Sequence, residues 1–289
     1  MKKLTITQFS QRFPDDNACL QYLWELRYSK METCPTCYKK ADYKRVKDCK
    51  GYQCTQCNNR IFPMAGTIFE KSTTPLIYWF TAIYLFTTTR NGVAAKELER
   101  QFNICYKTAL RMAHQIKILI GKRTENVMTG IVEADEMYLG GKLKNMHATK
   151  RVSMHKDANK SVVFGMLERG GEIVIQHVED NKQTTVMPLV EEKVTRGSIF
   201  FTDSGTAYQG IDPTQFKHYV INHFKGEYVR GIIHTNTIEG FWSQVRRTIL
   251  GTHISVSSRH LQKYLNECAF RYKMRKNQDE MFDAILNLV

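Results

Sequence analysis

The sequence predicts a mixed α/β protein in which a small cysteine-rich module and a helical segment precede a sheet flanked by helices. Three observations predict it. Four cysteines stand in two C-x-x-C pairs between Cys34 and Cys57. From about Thr74 to Ile120 the apolar residues keep a helical period broken by short turn signals. From Gly130 onward, β-branched runs bounded by glycines alternate with helical patterns. The expected segments are 1–30 (helical), 31–70 (cysteine module), 71–127 (helical), 128–255 (sheet domain) and 256–289 (a basic C-terminal helix).

The chain has 289 residues, 42% of them hydrophobic, enough for a sizeable core. Its formal net charge is +14, from 42 Lys and Arg against 28 Asp and Glu. A surplus that large points to a polyanionic partner. The most apolar stretch, Ile77 to Phe86, is too short to span a bilayer. "MKKLTITQFS" lacks an apolar run after its lysines, so no signal peptide is expected, and a cytoplasmic location is. The eight cysteines are then not a disulfide framework.

Cys34 and Cys37 bracket "PT", and Cys54 and Cys57 bracket "TQ". Each pair forms a knuckle, and two knuckles supply the four soft ligands that tetrahedral Zn²⁺ takes. With "GYQC" and "RIF" as strand-like pieces, the module reads as a zinc ribbon. Four protein ligands leave no open position, so the zinc is structural. Cys19, Cys105 and Cys268 stand alone and read as small core residues.

"TTPLIYWFTAIYLFTTT" begins with Thr74 as N-cap and Pro75 at the first helical position. Its aromatics, Tyr78, Trp79, Phe80, Tyr84 and Phe86, read as core. A short helix, Val93 to Gln101, is followed across "FNI" by a longer one, Tyr106 to Ile120. The second carries Lys107, Thr108, Arg111 and Lys117, which suggests a helix-turn-helix with Lys107 and Arg111 facing DNA.

"IVEADEMYLGG" is a strand, and "KSVVFGMLERGGEIVIQHVED" is a hairpin. "TTVMPLVEEKV" is a helix, "GSIFFTDSG" a buried strand ending near Asp203, and "FKHYVIN" a further strand. Three antiparallel strands followed by crossover-linked ones give a mixed sheet. Asp203 stands at the carboxyl end of a strand, where α/β sheets place ligands. The first strand offers Glu133 and Asp135 on one face and Glu136 on the other, and parity alone does not choose among them. In "HTNTIEGFWSQVRR" the apolar stripe is Ile238, Phe241, Trp242, Val245 and Ile249, with Glu239 at its margin and Arg246 two turns on. Asn236 as N-cap and Glu239 as its capping-box partner would explain both residues without chemistry. Gly240 would let backbone or ligand come close. Carboxylates converging from two strands and a helix need a cation, and hard oxygens suit Mg²⁺ or Mn²⁺.

"VEADEMYLGGK", "FFTDSGTAYQGI" and "HTNTIEGFWSQVRRTILGTHISVSSRHLQKYLNECAFRY" together resemble DDE-type insertion-sequence transposases, in the subgroup with an N-terminal zinc ribbon. The resemblance covers about Phe13 to Arg275. It implies a ribonuclease-H-like catalytic domain with an acidic triad at Asp135, Asp203 and Glu239. It implies two Mg²⁺ or Mn²⁺ ions, double-stranded DNA as partner, and a homo-oligomer in the complex that pairs two element ends. A basic residue seven after the Glu is frequent in the family; here it is Arg246, with Arg247 beside it. Some relatives carry Asn for the third acid, which keeps Asn236 in view. The segment from Gly141 to Lys160, rich in Lys and Arg, supplies Lys150 and Arg151 as phosphate contacts. The basic faces of the helix from about Ser258, with Arg259, Lys263, Arg271, Lys273 and Arg275, are also expected toward DNA. Two other functions fit parts of this pattern, a DNA-binding regulator without catalysis and a structure-selective nuclease.

Overall fold

The computed structural model describes residues 4–123, 127–140 and 160–289. In chain order the elements are α1 (Ile6–Arg12), α2 (Asp16–Tyr28), β1 (Tyr43–Val46), β2 (Gly51–Cys54), β3 (Arg60–Ile61), α3 (Leu76–Thr88), α4 (Ala95–Phe102) and α5 (Tyr106–Ile120). Then follow β4 (Ile131–Leu139), β5 (Ser161–Glu168), β6 (Ile173–Val178), α6 (Gln183–Lys193), β7 (Ile199–Asp203), β8 (Lys217–Ile221), α7 (Asn236–Arg246), α8 (Ser258–Lys273) and α9 (Met281–Leu286). They divide into two compact units, residues 1–119 with 277–289, and residues 120–276.

The first unit holds the small antiparallel sheet β1-β2-β3 and the helices α1 to α5 and α9. Its core is aromatic. The Phe13 and Phe80 rings lie 4.9 Å apart, and Phe9 stacks on Tyr84 at 4.7 Å. Of the aromatics expected in that core, Tyr78 is only partly buried and stacks on Phe102 at 4.9 Å. The helix α3 starts one residue later than expected: Pro75 is the N-cap and Thr74 lies outside. Proline cannot offer a capping side chain, so the Ile77 N–H is satisfied from afar, by Asp16 Oδ1 at 2.8 Å. The next helix also starts later, at Ala95 rather than Val93. It ends on Asn103 in the left-handed conformation, φ 49°, and a three-residue turn leads into α5. Cys105 in that turn is exposed, against the core position expected; its Sγ lies 3.2 Å from Thr108 Oγ1. Cys19 and Cys268 are buried as expected.

The second unit is built on one five-stranded sheet of order β6-β5-β4-β7-β8. The pairs β6-β5 and β5-β4 are antiparallel; β4-β7 and β7-β8 are parallel. This is the mixed sheet expected, and it agrees with a ribonuclease-H-like domain. Alternation along β4 divides the core in two. Met137 and Leu139 join Trp242, Val245 and Leu261 under α7 and α8. Val132 and Ala134 join Val186, Val190 and Tyr208 on the other face, under α6. The helix α7 runs into a π-helical turn, Arg247–His253, which no sequence signal announced. The outer edge of β6 is met by Gln262 of α8. Its Oε1 accepts from the His177 N–H at 2.8 Å and its Nε2 donates to the Ile175 carbonyl at 3.0 Å.

Candidate active site and metal centre

Four thiols make the more complete of the two candidate centres. The donor atoms of Cys34, Cys37, Cys54 and Cys57 all lie within 4.8 Å of one another. Each knuckle turns on a residue four places after its first cysteine: Tyr38 at φ 56° and Asn58 at φ 61°. The backbone bonds repeat as well, with Cys34 N to Lys39 O at 2.8 Å and Cys54 N to Asn59 O at 2.8 Å. The 3.7 Å between Cys34 and Cys57 Sγ matches the ~3.8 Å that tetrahedral Zn–S bonds of ~2.3 Å impose. The Tyr43 hydroxyl, 3.1 Å from Cys34 Sγ, and the Cys37 backbone N–H bring the Cys34 thiol down to about 6, favouring the thiolate a metal takes. This cluster is compatible with a zinc ribbon.

The carboxylates gather on the α7 side of the larger sheet. Ile131 pairs with Ile199 and Glu133 with Phe201 in the parallel register, so the same register carries Asp135 beside Asp203. Burial, and then the charges of Asp203 and Glu136, push the Asp135 carboxyl up to about 7. Trp242 Nε1 donates to Asp135 Oδ2 at 3.0 Å, which supplies the partner a buried indole N–H needs. Room for that indole comes from Gly165, the residue opposite Asp135 on β5. A Cβ there would fall 2.4 Å from the Trp242 ring. Asp203 Oδ1 accepts from the Gly205 N–H at 2.9 Å.

Glu136 projects to the other face, as alternation requires. Burial raises its carboxyl, and the Tyr208 hydroxyl faces it and partly offsets the rise. Tyr208 is buried beside it, and burial and then the Glu136 charge raise its phenol.

The third acid is arranged differently. Thr235, not Asn236, is the N-cap of α7, and no side chain closes that cap in the capping-box manner. Glu239 therefore stands one position too far along for the reciprocal pair. Its Oε1 accepts from Thr235 Oγ1 at 2.9 Å and lies 3.7 Å from His223 Nε2, with 48% of the side chain exposed. Among the described residues only the four cysteines bring three or more ligating atoms within 4.8 Å, so Glu239 is not drawn into a cluster with Asp135 and Asp203. A Cβ at Gly240 would meet nothing within 4 Å, so the close approach expected there is not made by this chain.

The helix N-terminus is instead capped from the sheet. Glu133, fully buried, accepts from the N–H groups of Thr237 at 2.9 Å and Ile238 at 3.0 Å. The Thr237 hydroxyl donates to its Oε1 at 2.8 Å, and Arg169 Nε donates to the same oxygen at 2.6 Å. Arg169 also donates to the carbonyls of Ile232 (2.8 Å) and His234 (3.0 Å) and reaches His234 Nδ1 at 2.9 Å. An arginine only donates, so His234 Nδ1 is the acceptor and the ring is neutral. The 3.5 Å from His234 to Glu133 is then proximity and not an ion pair. His234 thus serves as a hydrogen-bond acceptor in the segment just before α7.

Of the basic candidates, Lys107 and Arg111 are exposed on α5, with Arg111 3.2 Å from Ser72 Oγ and 5.6 Å from the centre of the Trp79 ring. Arg246 and Arg247 are exposed at the end of α7. Lys150 and Arg151 lie outside the described residues. On α8, Arg271 pairs with buried Glu267 at 2.9 Å and Lys273 pairs with Glu172, while Arg275, in the turn after the helix, stacks on Tyr272 at 3.8 Å. These contacts hold all three side chains within their own unit.

Residues 127–273, more than half the chain, match the ISXO2-like transposase domain. The chain belongs to this family of insertion-sequence transposases. A relative from Halobacterium salinarum, an uncharacterized protein in the transposable element ISH50, is 27% identical over 95% of the transposase and 97% of its own length. An uncharacterized transposase-like protein of Haemophilus influenzae is 29% identical over 35% of this chain and 77% of its own. A chain in the cryo-EM structure of a simian T-cell lymphotropic virus intasome with the PP2A regulatory subunit B56 gamma aligns over 67% of this chain, which spans 63% of that one. At a TM-score of 0.28 and 10% identity, that likeness carries no argument.

Proposed function

We propose that this transposase binds the terminal repeats of its element, hydrolyses a phosphodiester at each end and joins the freed 3′-OH to target DNA. In the first step a water oxygen bonds to phosphorus as the bridging 3′-oxygen leaves and takes a proton. In the second that hydroxyl bonds to a target phosphorus as the target's own 3′-oxygen leaves. The observation that carries the reading is the pair Asp135 and Asp203, set side by side by parallel strands, with the Asp135 carboxyl raised by burial and by its neighbours. Such a pair of acids suits hard cations.

Asp135, Asp203 and Glu239 are the residues that would hold two Mg²⁺ or Mn²⁺ ions. Bound there, such ions supply Lewis acidity to the attacking and leaving oxygens. Trp242 orients Asp135 through its indole N–H, and the bond from the Gly205 N–H orients Asp203. Arg246 lies two turns beyond Glu239 on the same line of α7, where its guanidinium would meet phosphate. Lys107 and Arg111 on α5 contact the repeat, and Arg247, Lys150 and Arg151 add phosphate contacts. Zn²⁺ fills the cysteine site in a structural role. The working form is a homo-oligomer that pairs two ends in the cytoplasm.

The test is strand transfer of a pre-cut element end with Mg²⁺ or Mn²⁺. Wild type should give joined product, and Asp203→Asn and Glu239→Gln none, with DNA binding retained. Full joining by a folded Asp203→Asn protein would sink the reading. Equal joining by wild type and Glu239→Gln would move the third ligand to Asn236.

A further inference from the structure

Strand β4 presents two acids to α7, Glu133 and Asp135, and they do opposite things. Asp135 lies among like charges. Glu133 has its charge answered by Arg169 and by two N–H groups at the positive end of a helix. A carboxylate so engaged has no lone pairs to spare for a metal. Its bonds fall on Thr237 and Ile238, the second and third residues of α7. Trp242, one turn beyond Ile238, bonds Asp135. The helix is therefore tied to one strand at two points two strand residues apart, and Glu239 lies between the ties.

We infer that Glu133, locked by Arg169, is a positioning residue that holds the first turn of α7, and with it Glu239, to the strand that carries Asp135, and so fixes the divalent-metal site. This inference rests on the proposed function. The strut spans strand, helix and the segment before the helix, because Arg169 also holds the carbonyls of Ile232 and His234. A glutamine at position 133 would turn an amide N–H₂ toward Arg169 or toward the two helix N–H groups, so one tie is lost whichever way it turns.

The experiment measures Mn²⁺ binding to the zinc-loaded protein by paramagnetic quenching of tryptophan fluorescence, with Trp242 beside Asp135 as reporter. Four variants are compared with wild type: Glu133→Gln, Arg169→Lys, Asp203→Asn and Glu267→Gln. Glu267 is the control. It is buried like Glu133 and also paired with an arginine, but it stands within α8 and its pairing is to Arg271 of the same helix. Asp203→Asn should lose the quench. Glu133→Gln should weaken Mn²⁺ binding about tenfold to a hundredfold, the usual effect of losing a residue that orients metal ligands. Arg169→Lys keeps the charge but not the fork, and should fall between it and wild type; it also serves if Glu133→Gln does not fold. Glu267→Gln should lower the melting temperature and leave the Mn²⁺ isotherm unchanged. Wild-type isotherms for folded Glu133→Gln or Arg169→Lys, beside a lost quench in Asp203→Asn, would overturn the strut and leave the proposed function standing. Weakening by Glu267→Gln equal to that by Glu133→Gln would overturn it too, by making the effect one of general stability. A wild-type quench no larger than that of Asp203→Asn would overturn the metal reading and the strut with it.

Discussion

The cysteine centre and the carboxylate centre are both sets of side chains whose chemistry suits metals, yet among the described residues only the cysteines are gathered into a cluster. The four thiols already lie within 4.8 Å of one another, while Glu239 is half exposed and bonded to Thr235. The difference lies in how each set is held. The thiols sit on two knuckles whose turns are closed by bonds within six residues. The acids come from β4, β7 and α7, and their spacing depends on Glu133, Gly165 and Trp242. Local backbone can preset a ligand cage; a site spread over three elements is only as exact as the packing between them.

Removing metal from the ribbon should break this comparison most severely. Structural zinc contributes about 10–16 kcal/mol in small zinc modules, far more than a sheet of three short strands supplies alone. After chelation, or in Cys54→Ser, amide protection across residues 43–61 should vanish while that of 161–178 stays. Protection that persisted in both regions would mean that the ribbon stands by packing.

The carboxylate site should answer to pH. Burial, and then its acidic neighbours, push the Asp135 carboxyl from an ordinary 3.8 up to about 7, so the folded state keeps its proton longer than the unfolded one. Metal-free stability is therefore lost as pH rises from about 4 through 7, and the loss is complete above it. Asp135→Asn removes the penalty, which by the size of the shift is at most about 4 kcal/mol. Its gain in melting temperature should be larger at pH 8 than at pH 5. Equal gains at both would show that Asp135 ionises normally.

Gly165→Ala tests the packing that holds the site. A methyl group 2.4 Å from the Trp242 ring must move the indole, an overpacking cost of about 1–3 kcal/mol. The melting temperature should fall, and strand transfer with it as Asp135 loses its partner; unchanged activity would show that the Trp242 bond is dispensable. Gly240→Ala should have the smallest effect and the opposite sign. Its added methyl meets nothing in this chain, and alanine favours a helix by about 1 kcal/mol. Thermal melts should show the gain. Joining that falls despite it would place DNA against that face; joining that rises with stability would clear the face of DNA.

The sequence was most readable where the determinants are close together. The two C-x-x-C pairs, the strand alternation that puts Glu133 and Asp135 on one face, and the stripe of α7 all rest on spacing within one element. Caps were read less well. Those of α3 and α7 come from Asp16 and Glu133, 61 and 104 residues away from the N–H groups they meet, and no local spacing records such a bond. Trp242 was legible as core but not as the partner of Asp135, although a buried indole N–H is itself a signal that a partner exists. Cys105 misled because burial is frequent for cysteine, whereas here the residue belongs to a turn between two helices.

The amide of Gln262 has a consequence for how wide the larger sheet can grow. By taking the His177 N–H and giving its own N–H to the Ile175 carbonyl, it occupies on β6 the places that a sixth strand's backbone would fill. A sheet margin left bare is a template for any passing extended chain. Here one margin is closed by a single side chain carried on α8, so a neighbour adding itself strand to strand would have to come to the β8 side.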